Sequence, residues 1–237
     1  MLSEIQEYLK GTKFSNGLII NFKNKLNNRL LDRVKYLGNI VENKRVIHVG
    51  CCDHIPLIQK KIDVNRWLHQ ILNDSAKEVC GIDIDNEAIE YAKSVSGCSN
   101  IINRDIIQDD LSDITDKKWD FILLGEILEH TTNPNEFLSK IHQKFKGSVK
   151  SIIVTVPNSL RLKNFKMSLK NKEFINSDHK YEFTPYTLAK ALTLSGFKVQ
   201  KMETAFYDEV TNHGFFHKIL YKKYPMLRDD LIIVGDF

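Results

Sequence analysis

The chain has 237 residues, with 34 lysines and arginines against 30 aspartates and glutamates, a formal net charge of +4. Hydrophobic residues make up 42% and charged residues 27%, which excludes a disordered or low-complexity chain and fits a folded globular domain. The charge is too small for the basic footprint of a dedicated nucleic-acid binder, yet it permits an anionic acceptor such as a nucleotide sugar, a phosphorylated intermediate or RNA.

Cys51, Cys52, Cys80 and Cys98 contain no C-x-x-C pair. Their spacing argues against zinc and against a disulfide framework, so reduced thiols in a cytoplasmic protein are expected. Met1–Lys10 carries two glutamates and no apolar run, unlike a signal peptide. No apolar stretch approaches the roughly 20 residues that span a bilayer, and a soluble protein without stable membrane insertion is expected.

In chain order, residues 1–43 show helical spacing through Ile5, Leu9, Leu26, Leu30, Leu31 and Val34. This predicts a helical leader ahead of a domain spanning 44–237. From Arg45 onward, short apolar runs at Val46–Val49, Val79–Ile82, Ile101–Ile102, Phe121–Leu124 and Ile152–Val156 predict strands. Helical patterns fall between them at about 64–73, 86–95 and 134–145. Strands joined by crossover helices predict a doubly wound α/β fold, a parallel sheet with helices on both faces. A helix at about 185–195 ends at Gly196, and Phe197–Phe206 and Leu231–Gly235 follow without a helical crossover. That pattern predicts an antiparallel edge.

The first strand runs into Val49-Gly50-Cys51-Cys52-Asp53-His54. Ligands of open parallel sheets bind beyond the carboxyl ends of the strands, and a small-residue loop there lets backbone N–H groups approach a cofactor. The second strand ends Gly81-Ile82-Asp83-Ile84-Asp85. An acid some 30 residues past the loop suits a ribose diol. Asp85 is expected to cap the helix that begins with Glu87, Ala88, Ile89 and Tyr91, which leaves Asp83 for the ribose. Asp105 and Ile106 offer a carboxylate and an apolar face for adenine. The absence of G-x-G-x-x-G argues against a nicotinamide enzyme.

The series “RVIHVGCCDH … VCGIDIDNEAIEYAK … NIINRD … WDFILLGEILEH … IIVTVPN … FTPYTLAKALTLSGF” resembles class I S-adenosylmethionine-dependent methyltransferases over roughly residues 45–206. The resemblance implies a Rossmann-like seven-stranded mixed sheet whose last strand is inserted antiparallel. It places Val49, Gly50, Cys51 and His54 at the methionine end of the cofactor, Asp83 and Ile84 at the ribose, Asp105 and Ile106 at adenine, and Glu126 beside the cofactor.

The first motif departs from the family pattern. His48 replaces the usual acid of the strand, Cys52 and His54 replace two glycines, and His54–Asp63 is longer than a direct entry into a helix. His48 is expected to be buried and hydrogen-bonded. His54, when protonated, would favour the cofactor carboxylate.

Glu126, Glu129 and His130 stand at i, i+3 and i+4, so a helical turn would project all three from one face. Together with V-P-N and D-H-x-x-E-F, which contributes His179, the pattern resembles metal-assisted O-methyltransferases. Some of those act on catechols and others on the terminal 2′-hydroxyl of small RNAs, and similar arrangements occur in glycan biosynthesis. The resemblance implies Glu126, Glu129, His130 and His179 as ligands for Mg²⁺ or a similar ion. A second reading keeps His130 and Glu129 as catalytic groups without metal, His130 acting as a general base. A third is purely structural.

Two insertions complete the reading. A lid at about 158–183 carries Arg161, Lys163, Lys166, Lys170 and Lys172 among apolar residues, a pattern read first as a solvated basic face. An arm at about 207–229 mixes aromatics with His217, Lys218, Lys222 and Lys223, leaving a membrane-surface contact, a homodimer contact and a packed arm open. His69 is expected at the surface or core edge, and Trp67 in the core. The expected activity is O-methylation of a small hydroxylated acceptor such as a sugar, glycan precursor, catechol or phosphorylated compound. The alternatives are methylation of an RNA 3′ end, which the modest charge disfavours, and a non-catalytic Rossmann-like binding or scaffold protein.

Overall fold

The structure is a computed structural model and describes residues 2–22, 26 and 28–237. Helices α1 (Gln6–Leu9) and α2 (Arg33–Ile40) precede strand β1 (Arg45–Val49). Helices α3 (Ile55–Asp63) and α4 (Leu68–Ser75) lead to β2 (Glu78–Asp83), and α5 (Asn86–Ser96) leads to β3 (Ile101–Asn103). The short α6 (Ser112–Thr115) precedes β4 (Trp119–Gly125), and α7 (Pro134–Phe145) precedes β5 (Val149–Pro157). Helices α8 (Leu162–Ser168) and α9 (Pro185–Leu194) come before β6 (Lys198–Ala205), and α10 (Phe215–Lys223) lies between β6 and β7 (Asp230–Asp236).

The seven strands form one sheet in the order β3-β2-β1-β4-β5-β7-β6. Strand β1 pairs parallel with β2 and β4, β2 pairs parallel with β3, and β6 pairs antiparallel with β7. This is the expected doubly wound, Rossmann-like mixed sheet with an antiparallel last strand. The order reverses at β1, the switch point where such sheets bind ligands. Val46, Ile47, His48 and Val49 are all buried, as a strand covered on both faces requires. Register places His48 opposite Gly81 on one side and Leu123 on the other, which brings the carboxyl ends of β1, β2 and β4 level.

Local chemistry sets the helix ends. The Asp85 side chain accepts the Ala88 N–H at 3.0 Å and caps α5 as expected. Thr184 and Thr187 form a reciprocal capping box on α9, whose first residue is Pro185. Gly196, at φ +102°, follows the last turn of α9.

Two compact units divide the chain. One comprises Val34–Gly125 and Gln143–Ile153 with Phe237, and holds β1 to β4. Its core packs Ile58, Trp67, Ala88, Ile89, Ala92 and Ile101 around Cys51. The other comprises Met1–Arg33, Glu126–His142 and Val154–Asp236. There Leu162, Phe206 and Tyr221 form a buried cluster.

Three expectations are corrected. The leader is not mainly helical: between Lys10 and Asp32 no described residue is in a helix. Leu31 and Arg33 instead pair with Phe206 through the Phe206 N–H to Leu31 C=O bond (2.8 Å) and the Arg33 N–H to Phe206 C=O bond (3.0 Å), a parallel bridge centred on Asp32. The segment after His54 enters α3 directly, with Pro56 in the first turn where its missing N–H costs nothing. His69 is fully buried rather than at a surface or edge. Residues 23–25 and 27 of the leader lie outside the described residues. Among the described residues, no helix is long and apolar enough to cross a membrane.

Candidate active site

In the unit holding β1, the chain leaves the strand through Gly50 at φ +60°, a conformation that glycine takes without strain. The Gly50 N–H donates to the Ile82 carbonyl at 2.8 Å. Cys51 is buried beside it. The Cys52 N–H donates to Asp83 Oδ2 at 2.8 Å, and the Asp85 N–H donates to Asp83 Oδ1 at 3.0 Å. Burial raises the Asp83 carboxyl above its ordinary value, and these backbone N–H groups offset only part of the rise. Each oxygen accepts one bond from these amides and keeps a further lone pair, which is what a ribose diol needs. Ile84 follows with 74% of its surface exposed, an apolar face at the same edge. The residues present fit an adenosyl group.

Asp105 sits in a tight turn after β3. Its Oδ1 accepts the Ile107 and Gln108 N–H groups at 2.7 and 3.0 Å, and its own N–H donates to Asp109 Oδ2 at 2.8 Å. Ile106 is buried, and Lys144 donates to the carbonyls of Ile106, Ile107 and Asp109. Lys144 clamps this turn, and nothing in the local motif announced it. His54 is exposed at the start of α3, and Asp53 pairs with Lys61. His48 is buried as expected, and its partner is His69, with the two Nδ1 atoms 3.2 Å apart.

The other unit assembles a separate polar cluster. Glu126 adopts φ +59°, a left-handed conformation that non-glycine residues rarely take. Its Oε1 accepts from Thr155 Oγ1 at 2.8 Å and lies 3.6 Å from Arg33 Nη1. Arg33 Nε in turn lies 3.2 Å from Asp230 Oδ2.

A 3₁₀ turn over Leu128–His130 then turns Glu129 inward. Glu129 is fully buried, and among the described residues neither carboxylate oxygen has a hydrogen-bond partner. Burial, reinforced by the Glu126 charge, pushes its pKa to about 9.

The lid returns to this turn. The Lys180 and Tyr181 N–H groups both donate to the Glu129 carbonyl, at 2.7 and 3.2 Å, and Tyr181 Oη donates to the Thr132 carbonyl at 2.9 Å. This staples His179 beside His130, their rings edge to face with centroids 4.7 Å apart. His130 Nδ1 lies 3.2 Å from the Asp178 carbonyl. A carbonyl only accepts, so Nδ1 carries the proton and Nε2 keeps its lone pair. His179 Nδ1 is buried with no partner among the described residues, and burial, then His130, holds this imidazole's pKa down.

One ligand atom each from Glu129, His130 and His179 lie within 4.8 Å of one another. Two orphaned carboxylate oxygens and an orphaned imidazole nitrogen in one cluster fit a divalent cation. Three of the four expected ligands therefore converge. Glu126 stands outside the trio, bonded to Thr155 and paired with Arg33. Arg33, Thr155 and Asp230 were not visible as site residues in the sequence, because they come together only through the fold.

A family profile described as a methyltransferase domain matches residues 22–202. No curated protein sequence matches the chain. Among solved structures, an S-adenosylmethionine-dependent methyltransferase from Archaeoglobus fulgidus is 21% identical, with 86% of this chain and 90% of that one covered and a TM-score of 0.53. The small RNA methyltransferase HEN1 is 18% identical at a TM-score of 0.58, covering 94% of this chain and 27% of the larger protein. The methyltransferase domain of a bacterial Hen1 is 17% identical at a TM-score of 0.53, covering 87% and 98%. At these identities the structural likenesses speak for the fold. The family profile spans most of the chain, and the chain belongs to the methyltransferase-domain family.

Proposed function

We propose that the enzyme is an O-methyltransferase for an acceptor with adjacent hydroxyl groups, a sugar, glycan precursor or catechol, gripped through a divalent cation at Glu129, His130 and His179. The observation that carries this reading is the fully buried Glu129 carboxyl, both of whose oxygens lack a partner beside two imidazoles. Such a group is costly to bury unless something cationic completes it.

One carboxylate and two imidazoles form a softer donor set than the oxygen shell Mg²⁺ prefers. Mn²⁺, Co²⁺ and Zn²⁺ suit it better than the Mg²⁺ implied by the family resemblance. A bound cation supplies Lewis acidity that lowers the pKa of an acceptor hydroxyl.

The chain's own residues do the rest. The Asp178 carbonyl holds His130 in the tautomer that offers Nε2. Glu129 carries a proton at neutral pH and must release it when it becomes a ligand. Asp83 and the Gly50 loop hold the adenosyl and methionine ends of the methyl donor. Overall, the S–CH3 bond would break as the O–CH3 bond forms, the sulfonium would leave as a neutral thioether, and the acceptor's hydroxyl proton would pass to solvent.

The test is methyl transfer from labelled S-adenosylmethionine across sugars and catechols, with and without chelator. Ether formation that requires a divalent ion and is lost in His179→Ala supports the proposal. Transfer indifferent to both overturns the metal.

A second acceptor has a specific observation behind it. Lys163 stands 3.1 Å above the Phe174 ring with Arg161 5.4 Å from it, and Lys166, Lys170 and Lys172 are exposed on the same lid. A basic, aromatic-bearing lid suits the 3′ end of an RNA, whose terminal ribose is also a vicinal diol. Methylation of RNA ending in a 2′,3′-diol, lost when a 3′-phosphate replaces it and weakened steeply by salt, would select this acceptor.

A further inference from the structure

The cofactor loop holds a second group of donors that no methyl-transfer chemistry requires. The Cys51 and Cys52 thiols and the Asp83 carboxylate each place one donor atom within 4.8 Å of the others. C-x-x-C spacing rules overlook this trio, because two ligands are adjacent in sequence and the third arrives from β2.

The packing around it is specific. Cys51 Sγ lies in space left by Gly81, where an added Cβ would sit 2.9 Å from the sulfur and 2.6 Å from the His69 ring. Real Cβ contacts essentially never come that close, so the absence of a side chain on β2 is what admits the thiol. Ile58, Trp67, Ala88 and Ile101 pack with Cys51 in one core cluster, Cys51 is 3% exposed and Asp83 8%, and Cys52 is half-buried. Two thiols, one buried against an apolar core and one half-buried, with one carboxylate beside them are the donor chemistry of thiophilic divalent ions.

We propose that Cys51, Cys52 and Asp83 bind a thiophilic divalent cation such as Zn²⁺, and that this ion competes with S-adenosylmethionine. Binding converts both thiols to thiolates, with two protons released to solvent and no change of oxidation state. Competition rests on the reading that Asp83 receives the ribose, since its carboxylate cannot serve cation and diol together. Zinc then acts as a reversible inhibitor at the donor loop, distinct from any cation at Glu129, His130 and His179.

The test uses the full-length protein, fully reduced. Co²⁺ is added first, because thiolate ligands give an intense sulfur-to-cobalt charge-transfer band that carboxylate and imidazole ligands lack. The expected band is present in the unaltered protein and in His179→Ala, and is lost in Cys52→Ser. Mass mapping of alkylated cysteines supplies a readout that needs no variant, with Zn²⁺ protecting Cys51 and Cys52 but not Cys80. Absence of both the band and the protection overturns the site. Titration calorimetry with S-adenosylmethionine then tests competition. Saturating Zn²⁺ should weaken cofactor binding at least tenfold, with recovery on chelation, and the ratio of affinities with and without Zn²⁺ should fall to near unity in Cys52→Ser. A thiolate site that leaves cofactor affinity unchanged overturns the competition. Failure of the metal-free protein to bind S-adenosylmethionine at all would count against the ribose assignment, while the cobalt band would still decide the metal site.

Discussion

His48 and His69, from β1 and α4, place their Nδ1 atoms 3.2 Å apart in a core where neither ring has more than 2% of its surface exposed. One nitrogen must donate and the other accept, so the two rings hold opposite tautomers at this contact. His69 also meets the Asn100 carbonyl oxygen through Nε2, at 3.3 Å, and therefore donates there and accepts at Nδ1. A second proton on His69 would break the pair. Burial lowers the His69 pKa to about 4.

The sign of the resulting pH dependence follows. Below about pH 6.5 the unfolded chain takes up a proton at this histidine that the folded chain refuses until about pH 4. Stability is therefore intact above pH 6.5 and falls as pH drops through that window, by up to about 3 kcal/mol. Urea unfolding across this range should show the loss, and the slope against pH should flatten in His69→Gln. An unchanged slope would mean that another group carries the acid sensitivity.

Glu129 has the opposite sign. Its folded pKa of about 9 exceeds the ordinary carboxyl value of 4.5, so the cation-free protein loses stability as pH rises between them. Glu129→Gln mimics the protonated carboxyl. At pH 8 with chelator present, the variant should be more stable than the parent by ~1–3 kcal/mol in urea titrations. The same change should weaken divalent-ion binding at least tenfold. In the unaltered protein, calorimetry in buffers of different ionisation enthalpy should show about one proton released per ion.

Asp83→Asn retains shape but halves the acceptor capacity that now serves the Cys52 and Asp85 N–H groups. Loss of charge-assisted bonds to the ribose, each worth about 1.5–3 kcal/mol, predicts a weakening of cofactor binding of roughly tenfold to a hundredfold. Calorimetry measures it directly. Affinity within twofold of the parent would remove Asp83 from the ribose.

Asn158 is fully buried, and its amide nitrogen donates to the Met226 and Arg228 carbonyls at 2.8 and 2.7 Å, while its Oδ1 accepts the Leu160 N–H. Alanine would strand two carbonyls and an amide and should cost about 2–4 kcal/mol. Thermal unfolding would register the loss.

The parts of this molecule legible in its sequence are those whose cause is local. The apolar runs of β1 and β5 are buried, those of β2 and β4 are buried except at the half-buried Cys80 and Phe121, the 134–145 pattern matches α7 end to end, and Asp85 caps α5 as its position required. What was not legible depends on distant partners. His69 shares Trp67-Leu68-His69-Gln70 with residues of every character, and only His48 and Asn100 make it a core residue. Leu30 and Leu31 have helical spacing, but pairing with Phe206 draws the chain out beside them. At the cation cluster, Glu129 and His130 are neighbours that a motif can announce. The Asp178 carbonyl that orients His130 is a backbone group, which no reading of side chains detects.

The two amides that Lys180 and Tyr181 give to the Glu129 carbonyl have a consequence for how the enzyme can change. On the proposed reading Glu129 serves twice, its side chain facing the cation and its main chain holding the segment that carries His179. That bond is blind to side-chain identity at 180 and 181, and it ties the end of the lid to the Leu128–His130 turn. Substitutions at Lys180 and Tyr181 that keep the backbone in place therefore leave His179 beside His130, whereas a change in the Leu128–His130 turn would carry both histidines with it.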